Sequence, residues 1–329
     1  MTIGMTLGKY APLHLGHQYV IERSLAETDH TIVMIYDSPE LDIPPLQVRS
    51  QWIRDLYPEV EVIEVWDGPT EVGLTSEITE RHDAYLNRRV GHRGVTHFYS
   101  SEPYGRHVSL ALGAIDRRVD VDRKQFAISG TEIRNDLFAN RHFLSPRVYR
   151  DLITNVVFLG APSTGKTTIA AELAKRFNTV WMPEYGREYW ESHQVERRLT
   201  AEQLVEIALG HRAREEKLIG DANRFLFVDT DATTTMQFSL YYHEAVHPDL
   251  IRMADEALGR YDVVFLCDTD IPYDDTWDRS GEVSRNLMQR RIVGDLLARK
   301  RPFHFLSGSL DARCEKVEQS LRWFRKYAV

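Results

Sequence analysis

The sequence has little cysteine, no long apolar run and no excess of positive charge. Only two of its 329 residues are cysteines, Cys267 and Cys314, which is too few for a disulfide framework or a thiolate metal site. No apolar run reaches the length of a membrane span, and the N-terminus lacks the charged and apolar regions of a signal peptide. The net charge of −8 argues against a surface that coats nucleic acid. We therefore expect a cytoplasmic protein that binds neither membranes nor nucleic acid.

What the sequence does contain is a phosphate-binding loop between a short apolar strand and an amphipathic helix. Residues 160–167 fit the pattern G-x-x-x-x-G-K-[ST]. The glycines let successive backbone N–H groups point at a phosphate, and the helix N-terminus adds positive potential there. Lys166 is expected to reach the β- and γ-phosphates, and the Thr167 hydroxyl to bind Mg²⁺. The residues predicted to bind ATP at this loop are Gly160, Ser163, Thr164, Gly165, Lys166, Thr167 and Thr168.

Strands alternate with helices along the whole chain, which is typical of α/β proteins with parallel sheets. We predict two different domains, over residues 1–152 and 153–329. A linker is expected within residues 141–151, where the composition is mixed and Pro146 occurs. Ligands are expected at the carboxyl ends of the strands, because the crevice of an open parallel sheet lies there.

Two histidines stand in the first domain where the first strand gives way to a helix. In His14-x-Gly16-His17, both rings are expected to face a phosphate above the helix N-terminus. An imidazolium there would neutralise charge on an α-phosphate under attack. For a single histidine, a structural role is the more common one. A second segment, over residues 129–134, offers another helix N-terminus, two hydroxyls and Arg134, and the two motifs together favour a nucleotide site.

These two segments resemble the marks of the HxGH nucleotidyltransferases. The first mark is matched by Gly8, Tyr10, Pro12, His14, Gly16 and His17, and the second by Ser129, Thr131 and Arg134. Gly130 stands where the family usually has a serine. The resemblance implies a Rossmann-like domain in which His14 and His17 are catalytic. It implies that ATP is bound by Gly8, Tyr10, His14, Gly16, His17, Ser129, Thr131 and Arg134, without a general base.

In the second domain, carboxylates follow two of the predicted strands. Glu184 is expected to accept the proton of a sugar hydroxyl beside the γ-phosphate, with Tyr185 and Arg187 binding the same substrate. A helix N-terminal acid beside a core aromatic cluster is the alternative interpretation of this segment. Asp229 is expected to hold Mg²⁺ or the substrate ribose, and Asp231 is its competitor or a helix cap.

Two further segments of the second domain have competing interpretations. Residues 274–285 suit a lid that brings Arg279 or Arg285 to the transferring phosphate, or a solvated charged loop. Residues 243–247 fit H-E-x-x-H, the helix of zinc proteases. Pro248 follows directly and disfavours helical geometry at the second histidine, so we interpret this match as coincidence.

The two domains together resemble the NadR-type bifunctional nicotinamide-mononucleotide adenylyltransferase/ribosylnicotinamide kinases. Residues 100–105, 128–134 and 184–189 look like segments of that family. The resemblance implies phosphorylation of nicotinamide riboside by ATP, then adenylylation of the mononucleotide to NAD with release of pyrophosphate. The implied ligands are ATP, Mg²⁺, nicotinamide riboside, nicotinamide mononucleotide and NAD, and a homo-oligomer is compatible with the sequence.

Alternatives to this interpretation stay open at the level of the sequence. Some members of the family carry an N-terminal helix-turn-helix domain and act as repressors, a role we do not expect because this chain begins at the first predicted strand. Coenzyme A synthases also join an HxGH domain to a P-loop domain, but residues 100–105 and 184–189 argue against them. A nucleotide or NAD sensor with weak transferase activity is the third candidate, since Gly130 removes one hydroxyl.

Overall fold

The computed structural model describes residues 1–327 apart from 40, 70, 72, 74, 197 and 274–281. The chain forms two compact units, one of residues 1–152 together with Tyr327 and the other of Ile153–Lys326. Within the described residues, no helix is both long and apolar enough to cross a membrane.

The first unit is built on a parallel sheet of five strands in the order β3-β2-β1-β4-β5. Its strands are β1 (Ile3–Gly8), β2 (His30–Tyr36), β3 (Glu61–Val65), β4 (His97–Ser100) and β5 (Ile115–Arg118). Its helices are α1 (Leu15–Glu27), α2 (Leu46–Leu56), α3 (Ser76–Val90), α4 (Gly105–Leu112), α5 (Gly130–Asn135) and α6 (Pro146–Leu152). The strand order reverses between β1 and β4, so the crevice of the sheet lies at the carboxyl end of β1.

Residues 141–151, predicted as a linker, are instead folded into the first unit. Helix α6 occupies most of this segment, and its Val148 and Tyr149 are buried. The prediction was wrong because Pro146, interpreted as a sign of a linker, is the first residue of α6. A proline is tolerated at that position because its missing N–H has no partner within the helix.

The second unit is built on another parallel sheet of five strands, in the order β10-β9-β6-β8-β7. Its strands are β6 (Thr154–Leu159), β7 (Trp181–Met182), β8 (Phe225–Asp229), β9 (Val263–Cys267) and β10 (His304–Leu306). Its helices are α7 (Lys166–Arg176), α8 (Tyr185–His193), α9 (Ala201–Ile219), α10 (Ala232–His243), α11 (Pro248–Arg260), α12 (Glu282–Ala298) and α13 (Leu310–Trp323).

The central strands of the second sheet form the middle of its core. Every residue of β6, β8 and β9 is buried, as expected for a parallel sheet covered by helices on both faces. Phe158, Phe227 and Phe265 come from adjacent strands and pack ring to ring, with centroids 5.7 to 6.1 Å apart. This rigid centre holds the carboxyl ends of β6 and β8 next to each other, and the phosphate loop and Asp229 stand there.

Candidate nucleotide-binding sites

The phosphate loop of the second unit connects β6 to α7, and two of its glycines are required by its backbone. Gly160 and Gly165 have φ angles of +142° and +82°, a region that side chains disfavour. A Cβ atom on Gly160 would lie 2.7 Å from the carbonyl oxygen of Cys267. The loop therefore packs directly against the end of β9, and α7 begins at Lys166 with its N-terminus facing the loop.

Two side chains of the loop are held by hydrogen bonds. The Lys166 Nζ donates to the carbonyl of Ala161 at 2.9 Å and is buried with its side chain across the loop. The Thr167 hydroxyl donates to Oδ2 of Asp229 at 2.5 Å. The structure thus brings the predicted Mg²⁺ ligands Thr167 and Asp229 together, although they are 62 residues apart in the chain.

Asp229 is fully buried at the end of β8, and its second carboxylate oxygen is unsatisfied. Within the described part of the chain, Oδ1 of Asp229 has no hydrogen-bond partner. Burial and the nearby carboxylate of Glu184 together raise the pKa of Asp229 to about 7, while Lys166 and the Thr167 hydroxyl act in the opposite direction. The site therefore concentrates negative charge that a cation would relieve.

A cavity of about 940 Å³ opens from the phosphate loop. The loop residues 160 and 162–168 line one end, together with Glu184 and Arg187 from the start of α8. Further wall residues come from α8, α9 and α10, among them Trp190, His211, Thr234, Phe238 and Tyr242. The volume falls at the upper end of the range for small-molecule sites.

Tyr185, predicted to bind the substrate, lies outside the cavity lining. Its ring packs on α9, where a Cβ atom on Gly210 would come within 2.3 Å of it, and the Arg214 guanidinium lies 4.0 Å from the ring centroid. Neighbouring positions at the start of a helix face different directions. Arg187 and Trp190 occupy the face toward the cavity.

Asp231 and Arg285 are engaged in structural contacts. Asp231 caps α10, accepting from the Thr233 N–H at 2.9 Å, and is paired with buried Arg301 at 2.9 Å. The contacts of Asp231 are therefore those of a helix cap. Arg285 lies within α12, buried, and donates to the carbonyls of Ser163 and Ile271 at 3.0 Å. Arg279 lies outside the described residues.

Sequence reasoning missed the wall residues on α9 and α10. His211 is buried with Nε2 unpartnered, and the Thr234 hydroxyl is likewise unpartnered within the described residues. Burial lowers the pKa of His211 to about 4 against the attraction of Asp231, so this ring is neutral at pH 7. No motif marks such residues, since a single polar group on the inner face of a helix gives no periodic signal. Phe238 and Tyr242, which share one face of α10, were detectable only as a helical i, i+4 aromatic pair.

In the first unit, His14 and His17 pair with each other at the N-terminus of α1. Each ring accepts the backbone N–H of the other residue at Nδ1, at 3.4 and 3.5 Å, and the rings stack with centroids 3.7 Å apart. Gly16 leaves room for the stacked rings, because a Cβ atom added at this position would lie only 3.1 Å from the His14 ring. The pair thus caps α1.

The surroundings of both rings lower the pKa of each histidine. Burial and the nearby Arg123 together lower the pKa of His14 to about 4, while Glu132 acts in the opposite direction. Burial and the charge of His14 hold the pKa of His17 well below its usual value, although a hydrogen bond to the Pro12 carbonyl acts in the opposite direction. These shifts favour the neutral imidazole over the imidazolium at pH 7.

The start of α5 lies against the segment that connects β1 to α1. Arg134 donates to the Ala11 carbonyl at 2.5 Å and to the Thr131 hydroxyl at 3.0 Å. The Ser129 hydroxyl caps α5 and donates to Glu132 at 2.6 Å. The structure therefore brings Ser129, Thr131 and Arg134 close to the segment that begins at Gly8 and includes Tyr10, whose ring meets His17 edge to face at 5.0 Å.

Gly130 makes a close approach to the backbone. A Cβ atom there would lie 3.0 Å from the Ala11 carbonyl oxygen and 3.2 Å from Nη1 of Arg134. The serine usual at this position in the HxGH family would have to displace that contact. Glycine is thus matched to the local geometry of this chain.

The H-E-x-x-H segment does not form a single helix. Helix α10 ends at His243, Glu244 takes a left-handed conformation, and His247 caps α11 with Pro248 as its first residue. His243 is hydrogen-bonded to the Leu199 carbonyl at 2.7 Å. Among the described residues, no group of three or more His, Cys, Asp or Glu side chains could hold a metal ion.

Comparisons with known proteins agree with this architecture. A family model described as an AAA domain matches residues 155–313. The trifunctional NAD biosynthesis/regulator protein NadR of Salmonella typhimurium (strain LT2) is 30% identical over 312 residues, covering 88% of this chain and 75% of the relative. The protein of the same name from Escherichia coli (strain K12) is 30% identical over 317 residues, covering 89% of this chain and 75% of that relative.

Two solved structures share the fold across nearly the whole chain. The crystal structure of NadR protein in complex with NAD and AMP-PNP has a TM-score of 0.56 at 19% identity and covers 98% of this chain and 96% of that one. The crystal structure of NadR protein in complex with NR has a TM-score of 0.59 at 20% identity, with coverage of 100% and 97%. The predicted fold class is confirmed: a Rossmann-like nucleotidyltransferase fold followed by a P-loop kinase fold, both with parallel sheets. With three quarters of each curated relative covered at 30% identity, the chain belongs to the NadR family.

Proposed function

We propose that this chain makes NAD from nicotinamide riboside in two ATP-dependent steps. Residues 153–329 phosphorylate the riboside to the mononucleotide, and residues 1–152 adenylylate the mononucleotide to NAD and release pyrophosphate. The observation that carries the proposal is the Thr167–Asp229 pair between the phosphate loop and a cavity of nucleoside size. Membership of a family named for NAD biosynthesis supports the choice of substrate. A cytoplasmic location, where ATP is abundant, is part of this proposal.

For the kinase step, the carboxylate of Glu184 accepts the proton of the riboside hydroxyl as it attacks the γ-phosphate. Glu184 lines the cavity at the loop end, and phosphoryl transfer through a loose transition state depends chiefly on positioning. Loop amides and Lys166 hold the β- and γ-phosphates, while Arg187 and Trp190 contact the riboside. The aromatic walls suit a flat cationic base.

Mg²⁺ fits the oxygen groups at the end of β8. Asp229 offers a buried, unpartnered Oδ1, and the Thr167 hydroxyl lies beside its other oxygen. Mg²⁺ is commonly bound by one or two carboxylates together with substrate phosphates, rather than by an all-protein cage. Bound there, it supplies charge neutralisation for the β- and γ-phosphates. Thr167 and Asp229 are the residues that would hold it.

For the transferase step, His14 and His17 bind the phosphates of ATP over the N-terminus of α1. Arg134 supplies a fixed positive charge from α5, and Ser129 and Thr131 add hydroxyls on the same side. Gly8, Tyr10 and Gly16 shape the loop so that the nucleotide approaches its backbone. Attack on the α-phosphate then needs positioning and charge stabilisation, and no side chain has to act as a base.

The test is the identity of the products formed from each substrate. Purified protein with ATP and Mg²⁺ is expected to convert nicotinamide riboside to the mononucleotide and NAD, and the mononucleotide to NAD and pyrophosphate, as measured by mass spectrometry. Phosphorylation of dephospho-coenzyme A instead would support a coenzyme A synthase. Binding of NAD and ATP without any product would support a sensor.

A further inference from the structure

Arg313 reaches the phosphate loop from the C-terminal helix α13. It is 3% exposed and donates from all three guanidinium nitrogens. Nε donates to the Gly308 carbonyl at 3.0 Å, Nη1 to the Thr164 carbonyl at 2.7 Å, and Nη2 to the Asp268 carbonyl at 3.4 Å and to the Asp270 carboxylate. One side chain thus joins the phosphate loop to the segments that follow β9 and β10.

Asp270 fixes the orientation of this guanidinium. Its Oδ1 accepts from Arg313, and its Oδ2 accepts from the backbone N–H of Gly308 at 2.5 Å. Gly308 has a φ of +90°, so its N–H and carbonyl can serve Asp270 and Arg313 from one turn. Charge-assisted hydrogen bonds of this kind are stronger and more directional than neutral ones.

The Thr164 carbonyl held by Arg313 determines where the next amide points. In a planar trans peptide the C=O and the following N–H point in opposite directions. A Thr164 carbonyl turned to Arg313 therefore turns the Gly165 N–H to the opposite side. Arg285 from α12 holds the Ser163 carbonyl in the same way, which orients the Thr164 N–H. Two consecutive amides of the loop are set by two buried arginines.

We propose that Arg313, fixed by Asp270, is a positioning residue that presents the Gly165 amide to the phosphates of ATP. Oriented amides in such a loop act as fixed partial charges for an anion, and a carbonyl released from Arg313 is free to rotate toward the phosphates and repel them. The inference rests on the proposed kinase function of the second unit. It assigns to α13, which the phosphate-loop motif does not include, a part in nucleotide binding.

The experiment compares phosphate binding among variants of the full chain. Arg313→Gln and Asp270→Asn are titrated with tripolyphosphate and with ADP, and KM for ATP and for nicotinamide riboside is measured. Arg313→Lys keeps the charge but loses the planar fork. Arg322→Gln, exposed on the same helix, is the surface control. Arg260→Gln, which removes a partly buried arginine paired with Glu215 of α9, controls for lost stability.

Arg313→Gln is expected to bind tripolyphosphate and ADP at least about 10-fold more weakly, as for loss of a strong hydrogen bond to a charged group. KM for ATP rises while KM for the riboside and adenylylation of the mononucleotide stay unchanged. Arg313→Lys shows most of the same loss, and Asp270→Asn a smaller one. Both controls bind tripolyphosphate normally.

Wild-type affinity of folded Arg313→Gln for tripolyphosphate overturns the inference, and so does full affinity of Arg313→Lys, which would leave only a long-range charge effect. If Arg313→Gln does not fold, the tripolyphosphate titration of Asp270→Asn is the test. Unchanged phosphate affinity of Asp270→Asn then overturns the inference. Failure of the wild-type protein to phosphorylate the riboside contradicts the proposed function instead, and the tripolyphosphate titrations still test Arg313.

Discussion

The hydroxyl of Thr167 lies 2.5 Å from Oδ2 of Asp229, which places the first helical turn after the phosphate loop against the end of β8. The contact leaves Oδ1 of Asp229 buried and without a partner among the described residues. Glu184 faces the same site, and its charge raises the pKa of Asp229 beyond the effect of burial. The proposed roles of the two carboxylates are therefore separable: Asp229 is proposed to hold a cation, and Glu184 to face the acceptor.

Substituting each carboxylate by its amide is expected to separate these roles. Glu184→Gln lowers the turnover of riboside phosphorylation, on the order of 10²-fold, with little change in KM for ATP, because the phosphate loop is intact. Asp229→Asn raises the Mg²⁺ concentration needed for half-maximal rate, because the metal loses a charged ligand. The measurement is the kinase rate as a function of Mg²⁺ for each variant.

Glu188→Gln is the matched control, because Glu188 lies one turn further along α8, exposed and paired with Arg214. Its rate and Mg²⁺ dependence stay at wild-type values. Rescue of Glu184→Gln by excess Mg²⁺, together with no rescue of Asp229→Asn, would show that the two roles are reversed.

The stacked histidines of the first unit are expected to serve only the adenylyl transfer. His17→Gln keeps a side chain that can complete the cap of α1 but removes the imidazole, so NAD formation from the mononucleotide falls strongly in kcat. His14→Asn keeps a good N-cap residue and is expected to weaken ATP binding more than turnover. Kinase activity on the riboside stays normal in both.

The cap-preserving variants distinguish chemistry from folding. Replacement by alanine loses the cap as well, at about 0.5–2 kcal/mol of stability. Wild-type NAD formation by folded His17→Gln would show that its ring serves only to cap α1.

His211 is expected to make the second unit sensitive to acid. The unfolded chain takes up a proton on this ring below about pH 6.5, whereas burial holds the folded pKa at about 4. Lowering the pH from 7 to 5 therefore favours the unfolded state, by on the order of 2 kcal/mol. His211→Gln should reduce this loss.

The measurement is denaturant unfolding of wild type, His211→Gln and His304→Gln at pH 7 and pH 5. His304, which is exposed on β10, is the surface control. An equal loss of stability with acid in wild type and His211→Gln would contradict a buried neutral histidine.

Local patterns were sufficient to predict many elements and the centre of each site. The strands β2 and β9 are continuous apolar runs, because a strand covered on both faces needs apolar side chains at neighbouring positions. The phosphate loop is encoded within eight positions, so its glycines and Lys166 were recognisable directly.

What could not be predicted depends on residues brought together by topology. Arg313 contacts Thr164 across 149 positions of chain, and no spacing rule links them. The side-chain direction of Tyr185 and the burial of His211 depend on how α8, α9 and α10 pack, which propensity does not determine. The lowered pKa values of His14 and His17 likewise follow from burial in the folded loop.

The central claim is that two separate sites on one chain carry out the two steps, and Lys166→Ala tests it most directly. The variant is assayed in one preparation, with ATP and Mg²⁺, on nicotinamide riboside and on nicotinamide mononucleotide. Loss of the lysine at the transferring phosphate is expected to lower riboside phosphorylation by at least about 10²-fold, while NAD formation from the mononucleotide stays within about twofold of wild type. A folded Lys166→Ala protein that loses both activities, or keeps riboside phosphorylation, would contradict the account.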